Sequence, residues 1–204
     1  MSAPDRRSRF PAARPRQGGR SGGETLAIAE CPATLVQLTA RKGRQAELAA
    51  TVEKLHGLAL PESGRVAASG GKTALWLQPG SWLVTAPAEE RAGLPGTLAQ
   101  ALSGIAAVVD QSHGRCVLEI TGVQARAVLA KLCRLDLHER AFPAGASAVT
   151  LVGHVSCLVY RIEGAAPGFG LIVGSTFAEW LLDELAAAAA AHGWRFTSAN
   201  EAAA

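Results

Sequence analysis

The sequence predicts an α+β fold built from two βαββα half-units, and three observations carry that prediction. Between Arg115 and Ile120, the residues Cys116, Leu118 and Ile120 alternate with Val117 and Glu119, the period of a half-buried strand. After Thr121 and Gly122 the period becomes about 3.6, with Ala125, Val128, Leu129, Leu132 and Cys133 on one helical face. Residues 73–78 (TALWLQ) and 81–86 (SWLVTA) flank Pro79-Gly80, a turn signal between two strands. The order strand, helix, two strands, helix then occurs twice. Pro79-Gly80-x-Trp82-Leu83-Val84 before one helix is echoed by Pro167-Gly168-x-Gly170-Leu171-Ile172-Val173 before the other.

In chain order, residues 32–38 read as a strand, and residues 43–57 as a helix with Leu48, Val52 and Leu55 on one stripe and Gly57 as its stop. Residues 61–72 form a polar, Gly-rich loop before the hairpin. Residues 95–104 restart a helix carrying Leu98, Ala101 and Leu102, and 107–110 return as a strand. The second half repeats this with a strand at 115–120, a helix at 123–135, strands at 149–162 and 169–173, and a helix at 177–192. Thr176 with Glu179 three positions on makes a capping box for that last helix, Phe177, Leu181, Leu185 and Ala188 form its inward stripe, and Gly193 ends it. The alanine run from Ala186 to Ala191 keeps helix propensity high and bulk low.

A chain of 204 residues can bury a full core without cross-links. The four cysteines, Cys31, Cys116, Cys133 and Cys157, show no C-x-x-C spacing and mostly fall within apolar runs, so they read as reduced, buried thiols in a cytoplasmic protein. The net charge of +3 is uneven: residues 1–23 hold six arginines against Asp5 alone, and the remainder carries 14 basic and 16 acidic side chains. That remainder has no nucleic-acid footprint. Residues 1–23, rich in Pro, Gly, Ser and Arg with Phe10 as the one large apolar residue, read as a disordered tail. The apolar run from Trp180 to Ala191 contains Asp183 and Glu184 and is too short for a bilayer.

Several local patterns imitate chemistry. Ser69-Gly70-Gly71-Lys72-Thr73 imitates the end of a phosphate-binding loop, but Val66 stands where that loop needs glycine and a strand follows where it needs a helix. Gly168, Gly170 and Gly174 do not have dinucleotide-binding spacing. His56, His113, His138, His154 and His192 show neither H-x-H nor H-E-x-x-H. His113 with Cys116, and Cys133 with His138, are formal nucleophile and base pairs, yet both cysteines fall on core faces, which reads as packing. No catalytic, cofactor-binding or metal-ligating residue is assigned to this chain.

The set Asp110-x-Ser112-His113, the following strand, and Ile120-x-Gly122-x-x-Ala125-x-x-x-Leu129 leading to Leu135-Asp136-Leu137 resembles a segment of the glycine-cleavage aminomethyltransferase (T-protein) family. The folate site of that family implies a carboxylate in the stretch after Leu135. Here no Asp or Glu occurs between Glu139 and Glu163, so the charge-assisted partner of a pterin is missing there. A wider resemblance, roughly from Thr34 to Phe196, is to the gamma subunit of heterotetrameric sarcosine oxidase. It rests on Leu75, Pro79, Gly80, Trp82 and Leu83; on the run Asp110 to Arg115; on Leu132-Cys133-x-Leu135-Asp136-Leu137-His138; on Phe142-Pro143-x-Gly145; and on Phe177-Ala178-Glu179.

This resemblance implies the N-terminal folate-binding fold of the T-protein over residues 24–198, with tails at 1–23 and 199–204. It further implies a non-catalytic, assembly-stabilising role in a complex that demethylates sarcosine to glycine, releasing formaldehyde or charging tetrahydrofolate. The implied partners are alpha, beta and delta subunits, with FAD, FMN and NAD carried by the complex and none by this chain. Trp76, Trp82, Trp180 and Trp194 are candidate interface anchors or core residues. Two alternatives are a small subunit of a related secondary-amine demethylase such as N-methylglutamate dehydrogenase, and a stand-alone folate binder drawing its carboxylate from Asp110 or Asp136.

Overall fold

The computed structural model describes residues 8, 10, 17–19, 26–164 and 166–199. The chain opens with β1 (Gln17–Gly18), β2 (Leu26–Glu30), β3 (Ala33–Ala40), α1 (Gln45–His56), β4 (Val66–Ser69), β5 (Lys72–Gln78) and β6 (Ser81–Pro87). A 3-10 turn (Ala88–Ala92), α2 (Leu94–Ala101), β7 (Ala106–Asp110), β8 (Arg115–Thr121) and α3 (Ala125–Ala130) follow. The remainder is β9 (Ser147–Val152), β10 (Val155–Ile162), β11 (Gly168–Gly174), a 3-10 turn (Ser175–Phe177), α4 (Ala178–Ala188) and β12 (Trp194–Thr197). Two compact units result, one from residues 32–115 with 146–148 and the other from the remaining described residues.

The unit of residues 32–115 holds a five-stranded sheet in the order β4-β5-β6-β3-β7, antiparallel throughout. Val36 and Leu38 of β3, Trp82 and Val84 of β6, Leu48 and Val52 of α1, and Leu94 and Leu98 of α2 share its core. The helical residues recur four apart, which lays one apolar stripe of each helix inward. Each such side chain contributes about 1.5–3 kcal/mol by leaving water. Gly57 stops α1 as expected, in the left-handed region at φ 60° with its N–H on Glu53 O. Leu55 leaves the expected stripe and is 44% exposed. The segment expected to be loop before the hairpin contains β4, joined to β5 through Gly70 and Gly71 at φ 55° and 76°.

The other unit holds a seven-stranded sheet in the order β1-β12-β2-β8-β11-β10-β9. The expected strand at 149–162 is two strands, because Gly153 and His154 both adopt positive φ, 53° and 77°, and turn the chain between them. The helix expected at 123–135 is only α3, six residues long. The expected capping box is not made: Thr176 lies inside the 3-10 turn, Phe177 takes the N-cap position without a side-chain cap, and its ring is 51% exposed. Ala178, Leu181, Leu182 and Leu185 of α4 are the buried ones.

Each half-unit therefore has two more strands than the expected βαββα pattern and reads strand, helix, three strands, helix, strand. Numbered within its half, the five-stranded sheet runs second, third, fourth, first, fifth. The seven-stranded sheet follows the same sequence from β9 but admits β2 between first and fifth. β2 is antiparallel to β8, as β7 is to β3, and β12 pairs parallel to β2. Leu26 and Ile28, both 1% exposed, hold it there.

Most of the tail expected to be disordered lies outside the described residues, as does most of 199–204. β1 pairs with β12, and the Phe10 ring meets Phe196 edge-on at 4.8 Å. Glu30, 8% exposed, accepts from Ser8 Oγ at 2.6 Å and from Ala199 N–H at 3.0 Å.

Candidate functional site

The run Asp110 to Arg115 links β7 to the start of β8, and Asp110, Gln111 and Ser112 shape that link. Ser112 is 1% exposed; its Oγ accepts the Leu35 N–H at 2.9 Å and lies 3.4 Å from Leu35 O. The Ser112 N–H donates to Asp110 Oδ1 at 2.8 Å, an Asx turn, while Gln111 N–H donates to Leu35 O at 2.7 Å. Partial burial opposes the Asp110 carboxylate, but the hydrogen bonds from Ser112, with Arg91 and His113 nearby, hold it below the usual carboxylate range. The Asp-x-Ser spacing thus anchors one end of β7 to β3. His113 is exposed on the loop.

The second run that carries the resemblance does the same in the other unit. After α3, Asp136 Oδ1 accepts the His138 N–H at 2.9 Å, and His138 Nδ1 accepts the Arg140 N–H at 3.2 Å. Ala141 and Phe142 N–H groups both donate to His138 O. Phe142 and Leu137 are buried, so the bend seats both in the core. Glu139 lies outside, bonded to Arg126 at 2.8 Å; that bond holds its carboxyl below the usual range. The carboxylates of Asp110 and Asp136, the two alternatives for a pterin partner, each hold a turn closed.

Cys116 and Cys133, the cysteines of the two nucleophile-and-base pairs, are both buried. Cys116 is 3% exposed in β8. Burial pushes the Cys133 thiol up, against a smaller opposite effect from the Leu135 backbone, and no hydrogen bond joins Cys133 to His138. The imitation phosphate loop is the β4–β5 hairpin, where Ser69 faces Lys72 across the turn. Lys72 Nζ is paired with Glu90 at 2.9 Å. Gly168, Gly170 and Gly174 lie in β11, an extended strand. Among the described residues no three His, Cys, Asp or Glu side chains converge as a metal set.

One cluster escaped the sequence reading. Cys31, Glu119 and Tyr160 come together in the unit of the seven-stranded sheet. Burial first, and then the Glu119 carboxylate that the thiol faces, pushes Cys31 up to about 12. Burial, Glu119 and Cys31 together push the Tyr160 phenol up as well. The Tyr160 ring lies flat over Gly170, its cross-strand neighbour, where a Cβ would sit 1.9 Å from Cζ. The only advance signal was the glycine opposite an aromatic. At neutral pH the thiol and the phenol both keep their protons.

The tryptophans divide by burial. Trp82 is core, with Nε1 donating to Pro61 O at 2.8 Å, and Trp194 is core beside Gly18. Trp180 is 37% exposed against the Gly153 turn.

Residues 42–191 match the model of the "Sarcosine oxidase, gamma subunit family". The chain is 42% identical over 108 residues to a sarcosine oxidase subunit gamma from Arthrobacter sp., 52% of each chain. It is 34% identical over 136 residues to one from Corynebacterium sp. (strain P-1), covering 63% of this chain and 65% of that one. These matches span about half to two thirds of the curated relatives' length. The heterotetrameric sarcosine oxidase from Corynebacterium sp. U-96, solved with pyrrole 2-carboxylate, contains a chain that superposes with a TM-score of 0.70 at 31% identity, over 84% of this chain and 89% of that one. The glycine cleavage system aminomethyltransferase T from Bartonella henselae shares the fold, with a TM-score of 0.63 at 15% identity, over 85% of this chain and 48% of that one. With its motif residues, fold and the match over 42–191 in agreement, the chain belongs to the sarcosine oxidase gamma subunit family.

Proposed function

We propose that this chain is the non-catalytic gamma subunit of a heterotetrameric sarcosine oxidase and that its work is to stabilise the assembly. The complex demethylates sarcosine oxidatively to glycine and releases the one-carbon unit as formaldehyde or passes it to tetrahydrofolate. FAD, FMN and NAD reside on other subunits, and the partners are alpha, beta and delta chains. The working domain is 24–198, in the cytoplasm; among the described residues no helix is long and apolar enough to cross a membrane.

The observation that carries this reading is the use made of the motif residues. Asp110, Asp136 and His138 accept backbone N–H groups of their own turns, and Ser112 accepts that of Leu35 on β3. The stretch between Glu139 and Glu163 offers no acid to a pterin, and the cysteine beside Glu119 keeps its proton. Proton handling at a transferred one-carbon group needs a free acid or base within reach.

The test is affinity capture of the tagged chain from its native cell, followed by flavin absorbance and sarcosine turnover of what is captured. The isolated chain is expected to be colourless and inactive, and the captured complex flavin-bearing and active. Flavin binding or sarcosine turnover by the isolated chain, or capture without any flavoprotein, overturns the proposal.

A further inference from the structure

On the face of the seven-stranded sheet that bears Phe169, two arginines stand against one acid. Arg161 on β10 lies directly opposite Phe169 on β11, and its guanidinium carbon is 4.9 Å from the centre of that ring, which is 0% exposed. Stacking takes one side of the half-buried cation out of water. Nη1 is sealed from solvent with no hydrogen-bond partner among the described residues. Nε and Nη2 bond no described residue either, but they keep contact with solvent. Those two parallel N–H groups are the side-on fork with which a guanidinium takes a carboxylate in two bonds. A half-buried cation that its own chain leaves without a bonded acid calls for an anion from elsewhere.

Arg126 on α3 supplies the second cation. Its Nη2 donates to Glu139 Oε1 at 2.8 Å, while its Nε is buried without a partner. Arg161 is near enough to help draw the Glu139 carboxyl below its usual range, after the larger effect of Arg126. The Glu139 side chain is 68% exposed, so water competes for its bond and the acid is easily displaced. Two guanidinium groups therefore flank one weakly held carboxylate. Elsewhere the pairing is one to one, as in Arg44 with Glu47 and Lys72 with Glu90.

We infer that Arg161 and Arg126 form a binding site for a carboxylate ligand, part of which Glu139 occupies in the free chain. The ligand's carboxylate takes the Arg161 fork side-on and Nη2 of Arg126 in place of Glu139. Phe169 fixes the plane of the fork, which favours a flat, two-oxygen group over a spherical anion. A carboxylate is the class that fits, because the group the chain itself sets there is a carboxylate and one positive charge remains uncompensated beside it. Such a site is independent of the assembly role.

The test titrates the full chain with sodium glutarate, which carries the carboxylate of a glutamate side chain, with ionic strength held constant by sodium chloride. Calorimetry and the Arg161 Nε–H resonance report binding. The variants are Arg161→Gln, Arg161→Lys, Glu139→Gln and, as a control for charge alone, Lys54→Gln on α1, and melting is measured for each. Support is saturable binding that weakens about tenfold or more in Arg161→Gln and about threefold or more in Arg161→Lys, as expected when a charged hydrogen-bond partner is lost. Binding also strengthens about threefold or more in Glu139→Gln, whose resident competitor has lost its charge, and is unchanged in Lys54→Gln. If Arg161→Gln does not fold, Arg161→Lys decides, since it keeps the charge and lacks the fork. A response that chloride reproduces is an adventitious ion only and overturns the site. Equal binding by wild type and the Arg161 variants, or no binding by either wild type or Glu139→Gln, overturns it as well. Unchanged affinity in Glu139→Gln overturns the competition with Glu139 and the site built on it. The same titration of the assembled complex separates the two sources of a carboxylate, both of which uphold the site. Retained binding assigns it to a small molecule; lost binding with a lower assembled fraction for Arg161→Gln assigns it to an acidic side chain of another subunit.

Discussion

Replacing Ser112 by alanine separates a segment that shapes the fold from one that reacts. The hydroxyl is buried and accepts the Leu35 N–H at 2.9 Å. Leu35 is itself 1% exposed, so its amide has no route to water once the oxygen is gone. An orphaned buried donor costs about 1–3 kcal/mol. With a urea dependence of about 1–3 kcal/mol per molar, the unfolding midpoint falls by about 0.5–1.5 M. The assay is a urea titration of the full chain by tryptophan fluorescence, paired with sarcosine turnover per assembled complex. The expected result is a lower midpoint with unchanged turnover. An unchanged midpoint refutes the structural role of the hydroxyl; lost turnover in an intact, stable complex refutes the assignment of this segment to folding alone.

Three further outcomes are expected. Asp110 has a folded-state pKa below its unfolded value, so its contribution is present above about pH 4 and lost as the pH falls through the folded value. The stability gap between wild type and Asp110→Asn is accordingly full at pH 7 and closes below about pH 4; a gap constant down to pH 2 refutes this. Gly170→Ala forces the Tyr160 ring off its neighbour, since the new Cβ would meet Cζ at 1.9 Å, and costs about 1–3 kcal/mol in denaturant titrations. The cost falls to less than half in a Tyr160→Ala background, and equal costs in both backgrounds contradict the packing described. Cys31, raised from 9.0 to about 12, keeps its proton in the folded state while the unfolded thiol loses it, so its contribution is full below about pH 9 and declines as pH rises toward 12. In native protein at pH 8 it resists a thiol reagent, and fast labelling of Cys31 without unfolding refutes its raised pKa.

The parts of the fold legible in sequence are those where one period holds long enough to set a face. β8, α1 and the β5–β6 hairpin are of this kind, with Gly57 and Pro79-Gly80 as punctuation. The Gly153–His154 turn was not legible, because tight hairpins usually announce themselves with Asn-Gly or Asp-Gly. β4 was hidden in small residues, Val-Ala-Ala-Ser, between glycines. Leu55 and Phe177 kept the helical period but fell where no neighbouring element covers them. At the site, the residue types of Asp110 and Ser112 fit catalysis and turn formation equally well. Only the 2.9 Å bond to Leu35, 77 positions away in sequence, distinguishes the two.

The position of β2 bears on how the chain is made. It pairs with β8 through Ala27 and Thr121, and with β12 through Leu26 and Trp194. During synthesis from the N-terminus, residues 32–115 emerge together with all five strands of their own sheet. β2, already outside the ribosome, waits for one neighbour until β8 appears and for the other until β12 appears. Such distant pairing is intrinsically slow. A nascent chain halted before Trp194 therefore owns a complete five-stranded half and an unfinished seven-stranded one, which makes the emergence of β12 the step at which chaperones and proteases can tell a completed sheet from an interrupted one.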